Sequence, residues 1–262
     1  MLATLKQALK ARRNSANPIV RHGIGAAHAV YVALDAAAAA CREFLTNGEY
    51  RSIVLLRWFR SQRVHQTTVL TWMDRYPEVF ASAREYFRDR KDLRILSFGC
   101  STGEEVLTLR HYFPGAFITG AEINPRSLAI CRAHRVDERI AFVRPDREQL
   151  LRNGLFDAIF CMAVLQRTPH TVASQGIASL KRIYPFRKFD RQLSELDDML
   201  VPGGLLVVYH SHYLFGSAKV APKYEQLTGF AQPASRGPKF DRNSELLPDP
   251  PVEGSMFIKS RE

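Results

Sequence analysis

A short apolar segment at residues 93–98 is followed by a turn of small residues, and helical patterning begins directly after that turn. A strand, a tight turn and a helix in this order form one unit of an α/β fold, and backbone amides at such a helix start bind anionic or hydroxylated groups. The turn also has the Gly-x-Ser-x-Gly spacing of a nucleophile elbow, with Ser101 at its centre. Two interpretations are therefore open, a glycine-rich ligand loop or a hydrolase nucleophile.

Strand and helix patterns alternate after this first unit. Such alternation predicts parallel strands joined by right-handed crossovers, and hence a doubly wound α/β sheet. The strand candidates occupy residues 93–98, 116–121, 140–143, 156–161, 205–210 and, closing the sheet, 255–259. Helix candidates begin near Gly103, Pro125, Asp146 and Phe189.

Residues 1–90 show helical rather than strand patterning. Asn47-Gly48 separates the first two helical segments, and Pro77 stands where a further helix can begin. We therefore predict two parts, a helical N-terminal module at residues 1–90 and a ligand-binding domain at residues 91–262. Because no other segment is free to cover the strand ends, we expect the module to act as a lid.

The chain carries a formal net charge of +11, which suits an anionic partner. Its Lys and Arg residues are spread along the chain, a pattern typical of a solvated surface rather than a nucleic-acid interface. The four cysteines lack Cys-x-x-Cys spacing, which favours reduced thiols in a cytoplasmic protein over disulfides or a zinc site. The N-terminus does not match a secretory signal, and the most apolar segment, residues 26–41, is too short to span a membrane.

Polar residues follow the first two strand candidates, at the edge where an open α/β sheet binds its ligand. The two glycines of the turn at residues 99–103 let the backbone approach a ligand, and Ser101 and Thr102 add hydroxyl groups. The second strand ends in Glu122-Ile123-Asn124, about twenty residues further along the chain. A carboxylate at this position can accept hydrogen bonds from both hydroxyls of a ribose.

The next two strand candidates also end in residues that suit a ligand site. Asp146 and Arg147 follow the third strand, where an aspartate can bind the exocyclic amine of an adenine or can cap a helix. The fourth strand ends in Cys161-Met162-Ala163, whose small and apolar side chains suit contact with a base or a reacting centre. Taken in order, the four strand ends predict a ligand that contains adenosine.

Together these motifs resemble those of the Rossmann-like methyltransferases that use S-adenosylmethionine, particularly the chemotaxis-receptor glutamate methyltransferases. The resemblance covers residues 93–212 and rests on Gly99-Cys100-Ser101-Thr102-Gly103-Glu104-Glu105, Ala121-Glu122-Ile123-Asn124, Phe156-Asp157-Ala158-Ile159-Phe160-Cys161 and Pro202-Gly203-Gly204 leading to His210-Ser211. It implies a mostly parallel seven-stranded sheet. It also implies that the turn holds the methionine part of the cofactor, with Glu105 near it, and that Glu122 holds the ribose.

These expectations define a cofactor site made of one turn and the ends of four strands. Its predicted residues are Gly99, Cys100, Ser101, Thr102, Gly103, Glu105, Glu122, Ile123, Asn124, Asp146, Arg147, Cys161, Met162 and Ala163.

The chain departs from the family pattern at three places. Most enzymes of the wider class carry an acidic residue where Ser97 stands, although the receptor enzymes resemble this chain in having serine. The receptor enzymes have an Arg-Asn pair where this chain has Met162-Ala163. They also insert a receptor-binding β-subdomain where this chain has only residues 135–138 between helix and strand. We therefore expect a small-molecule acceptor, with protein carboxylate methylation as the alternative.

Two histidines at the end of the fifth strand are candidates for a general base. His210 or His212 can accept the proton of a protonated methyl acceptor if it lies within hydrogen-bond reach. Both can equally be ordinary strand-end histidines. The His-x-His pair lacks a recognisable third metal ligand, so no metal is predicted.

Three other functional classes remain as alternatives. A serine esterase would use Ser101 as nucleophile, but its elbow normally follows several strands and here follows only helical patterning. A nicotinamide-dependent dehydrogenase needs Gly-x-Gly-x-x-Gly, and the second and third glycines are not at those positions. A basic binding protein could keep this fold without catalysis. The residues do not indicate an oligomeric state.

Overall fold

The computed structural model of the protein describes residues 18–88, 90–152, 154–232 and 237–261. The chain divides into two compact units, Met1–Leu55 and Leu56–Glu262. The boundary predicted from sequence at residue 90 lies inside the second unit, because the last helical segment before the first strand packs into the core of that unit.

Helix α1 (Pro18–Thr46) is followed after one residue by helix α2 (Gly48–Phe59). Asn47 separates them as the sequence predicts: its Oδ1 accepts hydrogen bonds from the N–H groups of Glu49 (3.0 Å) and Tyr50 (3.1 Å). The last residues of α2 belong to the second unit. None of the helices that the structure describes combines the length and the apolar character needed to cross a membrane.

The strands of the second unit are β1 (Arg94–Phe98), β2 (Phe117–Ala121), β3 (Ile140–Val143), β4 (Phe156–Met162), β5 (Leu200–Tyr209), β6 (Tyr224–Gln226) and β7 (Met256–Lys259). Within the described residues they form one seven-stranded sheet in the order β3-β2-β1-β4-β5-β7-β6. The first five strands pair in parallel, and β7 runs antiparallel to β5 and β6. The predicted doubly wound, mostly parallel sheet is confirmed. Its chain order reverses between β1 and β4, so ligands are expected beyond the carboxyl ends of these strands.

The helices of the second unit include one before the sheet and several that connect its strands. They are α3 (Pro77–Tyr86), α4 (Glu104–Tyr112), α5 (Pro125–Ala133), α6 (Arg147–Leu151), α7 (Pro169–Ser174) and α8 (Phe186–Asp197), followed by 3₁₀ turns at Phe215–Ser217 and Ala221–Lys223. The predicted helix starts lie within three residues of the observed ones. The six-residue helix α7 was not predicted, because so short a helix leaves little periodicity in the sequence.

Strand β5 is longer than predicted because it begins before the Pro202-Gly203-Gly204 run. In the pairing with β4, Phe156 stands opposite Leu200, but Ala158, two residues on, stands opposite Leu205. The extra residues of β5 form a bulge in which Gly203 has a φ of +73°. The Pro202-Gly203-Gly204 run therefore lies inside β5 and bends it. The sequence had instead predicted a turn that precedes the strand.

Hydrophobic residues cover both faces of the sheet. Side chains alternate along a strand, so Ile95 packs in the cluster that contains Phe80 of α3, while Leu96 packs in the cluster that contains Phe189 of α8. All four of these side chains are buried. Burial on both faces explains the continuous apolar runs of the central strands.

The connection between α5 and β3 is short, as the sequence predicts. Only residues 134–139 join them, and a backbone hydrogen bond from Ile140 to Asp137 (3.1 Å) closes the turn. No additional subdomain stands in this described segment.

Candidate functional site

The turn after β1 combines left-handed backbone with close packing. The N–H of Gly99 donates to the carbonyl oxygen of Ala121 at the end of β2 (2.8 Å). Gly99, Ser101 and Gly103 have φ values of +80°, +53° and +105°. A Cβ on Gly99 would lie 2.5 Å from Cγ2 of Val164. Glycine is therefore required here by backbone geometry and by packing against the loop after β4, a second reason beyond the predicted approach to a ligand.

Glu122 is buried and connects the turn to the end of β2. Its Oε2 accepts the N–H of Ser101 (2.9 Å), and its Oε1 accepts the N–H of Asn124 (2.6 Å). Burial raises the pKa of Glu122 to about 7 in spite of its backbone hydrogen bonds. The backbone of Ile123 is a third hydrogen-bond partner, so about one of the four acceptor positions of the carboxylate remains for a ligand hydroxyl.

The two residues after Glu122 complete the strand end. Asn124 is buried, and its Oδ1 accepts the N–H of Arg126 (3.0 Å), so it is the N-cap of α5. Ile123 is half-buried between Glu122 and this cap.

Glu105, in the first turn of α4, reaches the end of β1. The buried Ser97 hydroxyl donates to Oε1 of Glu105 over 2.7 Å. Burial raises the pKa of Glu105 to about 7, while the Ser97 hydrogen bond and the charge of Arg75 act in the opposite direction. The helix thus supplies a carboxyl group next to the position where the strand carries serine instead of an acid.

The other side chains of the turn are engaged within the protein. Cys100 is buried, with its Sγ 4.0 Å from Sγ of Cys131. The Thr102 hydroxyl donates to Glu104 (2.7 Å), and the Thr102 carbonyl oxygen lies 2.8 Å from Nε2 of His134. All four cysteines of the chain lie in described segments and are free thiols.

Successive side chains at the end of β4 lie in opposite hydrophobic clusters, one on each face of the sheet. Cys161 is fully buried, and burial raises the pKa of its thiol far above the usual range. Met162 is buried on the opposite face of the sheet. Ala163 is half-exposed with a φ of +57°, and its N–H donates to the carbonyl oxygen of Tyr209 (2.7 Å). The chain therefore leaves the sheet at Ala163, beside the end of β5.

Asp146 and Arg147 lie at the start of α6 and are exposed. Asp146 is the N-cap, since its Oδ1 accepts the N–H groups of Glu148 (3.0 Å) and Gln149 (3.4 Å). Arg147 forms an ion pair with Asp198 at 3.2 Å, just before the amino end of β5. The structure thus gives Asp146 the capping role that sequence reasoning kept open, and turns the Arg147 side chain away from the carboxyl ends of the strands.

The two candidate bases have different surroundings. His212 is buried, and its Nε2 lies 3.0 Å from the carbonyl oxygen of Arg167, with the backbone of Pro238 as a second partner. Burial lowers the pKa of His212. His210 is half-exposed, has a φ of +55°, and has its ring centroid 5.8 Å from that of Tyr76. Of the two, His210 is the better placed to reach a substrate.

Ser101 does not have the partners of a hydrolase nucleophile. Its Oγ is buried and has no hydrogen-bond partner among the described residues, so no histidine activates it there. Within the same segments, no group of three or more His, Cys, Asp or Glu side chains could hold a metal ion.

Sequence reasoning did not identify Tyr76, which directly precedes α3. Its ring packs edge-on against Tyr209 at the end of β5 (5.1 Å between centroids). Its hydroxyl is buried and has no hydrogen-bond partner in the described parts of the chain. Burial raises the pKa of Tyr76 to about 12, and the negative charge of Glu105 acts in the same direction. Nothing in the sequence around Tyr76 signals this position, because it depends on how α3 packs.

The fold and these strand ends define a doubly wound α/β domain with polar residues at the carboxyl edge of its sheet. Residues 95–185 match the family model described as a methyltransferase domain. The match confirms the class predicted for this region from the residues of the turn and the strand ends.

Three relatives show similarity over parts of the chain. Demethylmenaquinone methyltransferase of Thermus thermophilus is 33% identical over 121 residues, covering 44% of this chain and 46% of the relative. Malonyl-[acyl-carrier protein] O-methyltransferase of Bacillus cytotoxicus is 32% identical over 74 residues, covering 28% and 26%. An uncharacterized protein of Synechococcus sp. is 29% identical over 143 residues, covering 53% and 30%. The chain spans less than half the length of each.

Among solved structures, the N-methyltransferase NodS from Bradyrhizobium japonicum WM9 aligns with a TM-score of 0.44 and 16% identity, covering 72% of this chain and 99% of NodS. This similarity is low, and it is the strand order and pairing described above that define the fold of the chain.

Proposed function

We propose that this protein transfers the methyl group of S-adenosylmethionine to a small-molecule acceptor. The observation that carries the proposal is a pair of carboxyl groups beside a left-handed turn: buried Glu122 after β2, and half-buried Glu105, which contacts Ser97 of the adjacent strand β1. This pair lies within the segment that matches a methyltransferase domain.

The groups at this edge of the sheet fit such a cofactor. Glu122 retains an acceptor position for a hydroxyl of a ribose. Glu105 has a carboxyl group whose charge is disfavoured by burial, so the α-ammonium group of a methionine moiety would stabilise its ionised form. The buried Oγ of Ser101 needs a hydrogen-bond partner, which a polar ligand can supply.

When bound, the cofactor supplies a methyl group already activated by a sulfonium centre. The protein's own contribution is then to position the acceptor and to exclude water. Tyr76, Tyr209 and His210 form an aromatic surface at the end of β5 that can hold an acceptor. His210 is the candidate to accept a proton at one ring nitrogen if the acceptor is protonated.

The nature of the acceptor is part of the proposal. The named relatives act on different acceptors according to their names, so they do not select one for this chain. The short connection between α5 and β3 offers no receptor-binding subdomain, which favours a small molecule over a protein glutamate. The four free thiols support a cytoplasmic location.

Isothermal titration with S-adenosylmethionine and with S-adenosylhomocysteine tests the proposal directly. We expect saturable binding of both at one site per chain. Folded protein that binds neither would contradict the proposal. Covalent labelling of Ser101 by a serine-directed phosphonate would instead favour a hydrolase.

A further inference from the structure

Four basic side chains, none of them a candidate cofactor residue, gather around one short segment of the chain. They contact residues 61–67, the segment after α2, and come from the end of α2, the loop after β4 and helix α8. We call Arg57, Arg167, Lys188 and Arg191 the cationic cluster.

Two members of the cationic cluster on α8 bind the backbone of this segment. Nζ of Lys188 donates to the carbonyl oxygens of Ser61 and Val64, both over 2.6 Å. Arg191 donates to the carbonyl oxygen of Gln62 over 2.8 Å. These bonds fix the positions of the two cations without neutralising them.

The other two members bind the end of the segment. Nη1 of Arg167 donates to the carbonyl oxygen of His65 over 3.0 Å. Nη2 of Arg57 donates to the hydroxyl of Thr67 over 3.2 Å. Each guanidinium group has five N–H donors, so most of them remain for a ligand.

The cationic cluster is short of negative charge. Across the described segments, none of its four members forms an ion pair with a carboxylate. Burial, together with the charges of Arg167 and Arg191, lowers the pKa of Lys188 to about 8. Burial also lowers the pKa of Arg167, with Arg57 acting in the same direction. Like charges are thus held close together, and a bound anion would reduce the repulsion between them.

We propose that the cationic cluster binds a multiply charged oxyanion of the phosphate or diphosphate type, a property beyond the methyl transfer proposed above. A single carboxylate would neutralise only one of four charges, whereas a diphosphate can accept hydrogen bonds from several guanidinium groups at once. The side chains of Arg57 and Arg191 are exposed, so the site is accessible.

The position of Arg167 indicates where this oxyanion lies relative to the strand ends. Arg167 belongs to the loop that follows β4, and its carbonyl oxygen lies 3.0 Å from Nε2 of His212, beyond the end of β5. The site therefore adjoins the edge of the sheet where an acceptor would bind. The oxyanion is either part of the methyl acceptor or a free ligand.

Isothermal titration of the full chain with inorganic pyrophosphate tests the site. We expect saturable binding, with Kd raised about fivefold or more in Arg57→Gln and in Arg191→Gln, because each removes a charge-assisted hydrogen-bond donor. Both residues are exposed, and each makes one side-chain hydrogen bond to the described residues, so the variants should keep the wild-type thermal unfolding midpoint. Arg152→Gln, the same change at the exposed arginine that directly follows α6, serves as the control and should leave Kd unchanged.

Equal pyrophosphate affinity in all four proteins would overturn the proposal, as would binding of heparin without binding of pyrophosphate. A parallel titration with S-adenosylhomocysteine separates this result from the test of the proposed function, since neither variant alters a candidate cofactor residue.

The source of the oxyanion follows from incubation of the protein with labelled S-adenosylmethionine and a filtered small-molecule extract. A labelled product that changes on phosphatase treatment places the group on the acceptor, and an unchanged product indicates a free ligand.

Discussion

At the scale of single residues, two carboxyl groups define the candidate site, and removal from water disfavours the charged form of both. Burial raises the pKa of Glu105 and of Glu122 to about 7. Hydrogen bonds from the hydroxyl of Ser97 and from the N–H groups of Ser101 and Asn124 partly offset the free-energy cost of burying these charges. Buried carboxyl groups with shifted pKa values are typical of functional sites, because a ligand completes their interactions.

Glu122→Gln should weaken binding of S-adenosylhomocysteine by about tenfold or more, because the amide loses one of the two charged acceptors for the ribose. Isothermal titration at pH 8 measures the change. Glu148→Gln, the same substitution at an exposed position of α6, is the matched control. Unchanged affinity in Glu122→Gln would contradict the role assigned to this carboxylate.

Cofactor binding should weaken as pH falls through 7. A carboxyl group with a pKa of about 7 is mostly ionised at pH 8 and mostly protonated at pH 6, and only the ionised form pairs with an ammonium group. We expect Kd for S-adenosylhomocysteine to rise about tenfold between these pH values for each carboxyl group involved. Glu105→Gln should bind more weakly at pH 8 and show a smaller change with pH; the same slope in both proteins would remove Glu105 from the site.

At the scale of elements, the segment after α2 is attached to α8 and to the residues just before α8 through a buried histidine. Nδ1 of His65 lies 2.6 Å from the hydroxyl of Tyr184, and its Nε2 lies 3.1 Å from Oε1 of Gln192 on α8. Burial lowers the pKa of His65 to about 3, with a further contribution from the charge of Lys188. The histidine is therefore neutral and acts as a polar link between elements.

This link should make the stability of the protein depend on pH. Because the folded pKa of His65 lies below its unfolded value near 6.5, its contribution is complete above pH 6.5 and is lost as pH falls toward 3. We expect about 2 kcal/mol of unfolding free energy to be lost between pH 7.5 and pH 5, measured by urea unfolding. His65→Gln should lose far less over the same interval, while His111→Gln, at an exposed position of α4, should behave as wild type. Parallel curves for wild type and His65→Gln would refute this account.

At the scale of the whole molecule, the chain consists of two compact units. The described candidate cofactor residues all lie in the second unit, Leu56–Glu262. The aromatic surface of Tyr76, Tyr209 and His210 lies there too, so residues before β1 already contribute to the strand ends within that unit. The lid predicted for residues 1–90 stays a prediction for the first unit.

A chain that begins at Asn47 should fold and should bind S-adenosylhomocysteine with the affinity of the full chain, because it retains α2 and every candidate cofactor residue. Circular dichroism and isothermal titration check both expectations. If the first unit acts as a lid, methyl transfer to the acceptor falls while cofactor affinity does not change. Loss of cofactor binding in the folded, shortened chain would show that the first unit belongs to the cofactor site.

Much of the site could be predicted from local sequence, but some residues could not. Glu122 and Asn124 follow a strand at fixed spacing, so their neighbourhood is set by the strand itself. Arg147 follows a strand in the same way, yet its side chain pairs with Asp198 at the other end of the sheet. Tyr76 and His65 gave no signal, because their partners are distant in the chain: Tyr184 lies 119 residues from His65, and Tyr209, the partner of Tyr76, lies at the end of β5.

The sequence by itself determined the alternation of strands and helices, the parallel sheet and the set of polar residues at its carboxyl edge. These features follow from hydrophobic periodicity and from turn residues, which act over short distances along the chain. Only the tertiary structure decided that the carboxyl group of Glu105 meets Ser97, that α3 belongs to the core of the sheet domain, and that four cations gather around one loop. Those contacts depend on the packing of elements distant in the chain, and no local pattern encodes it.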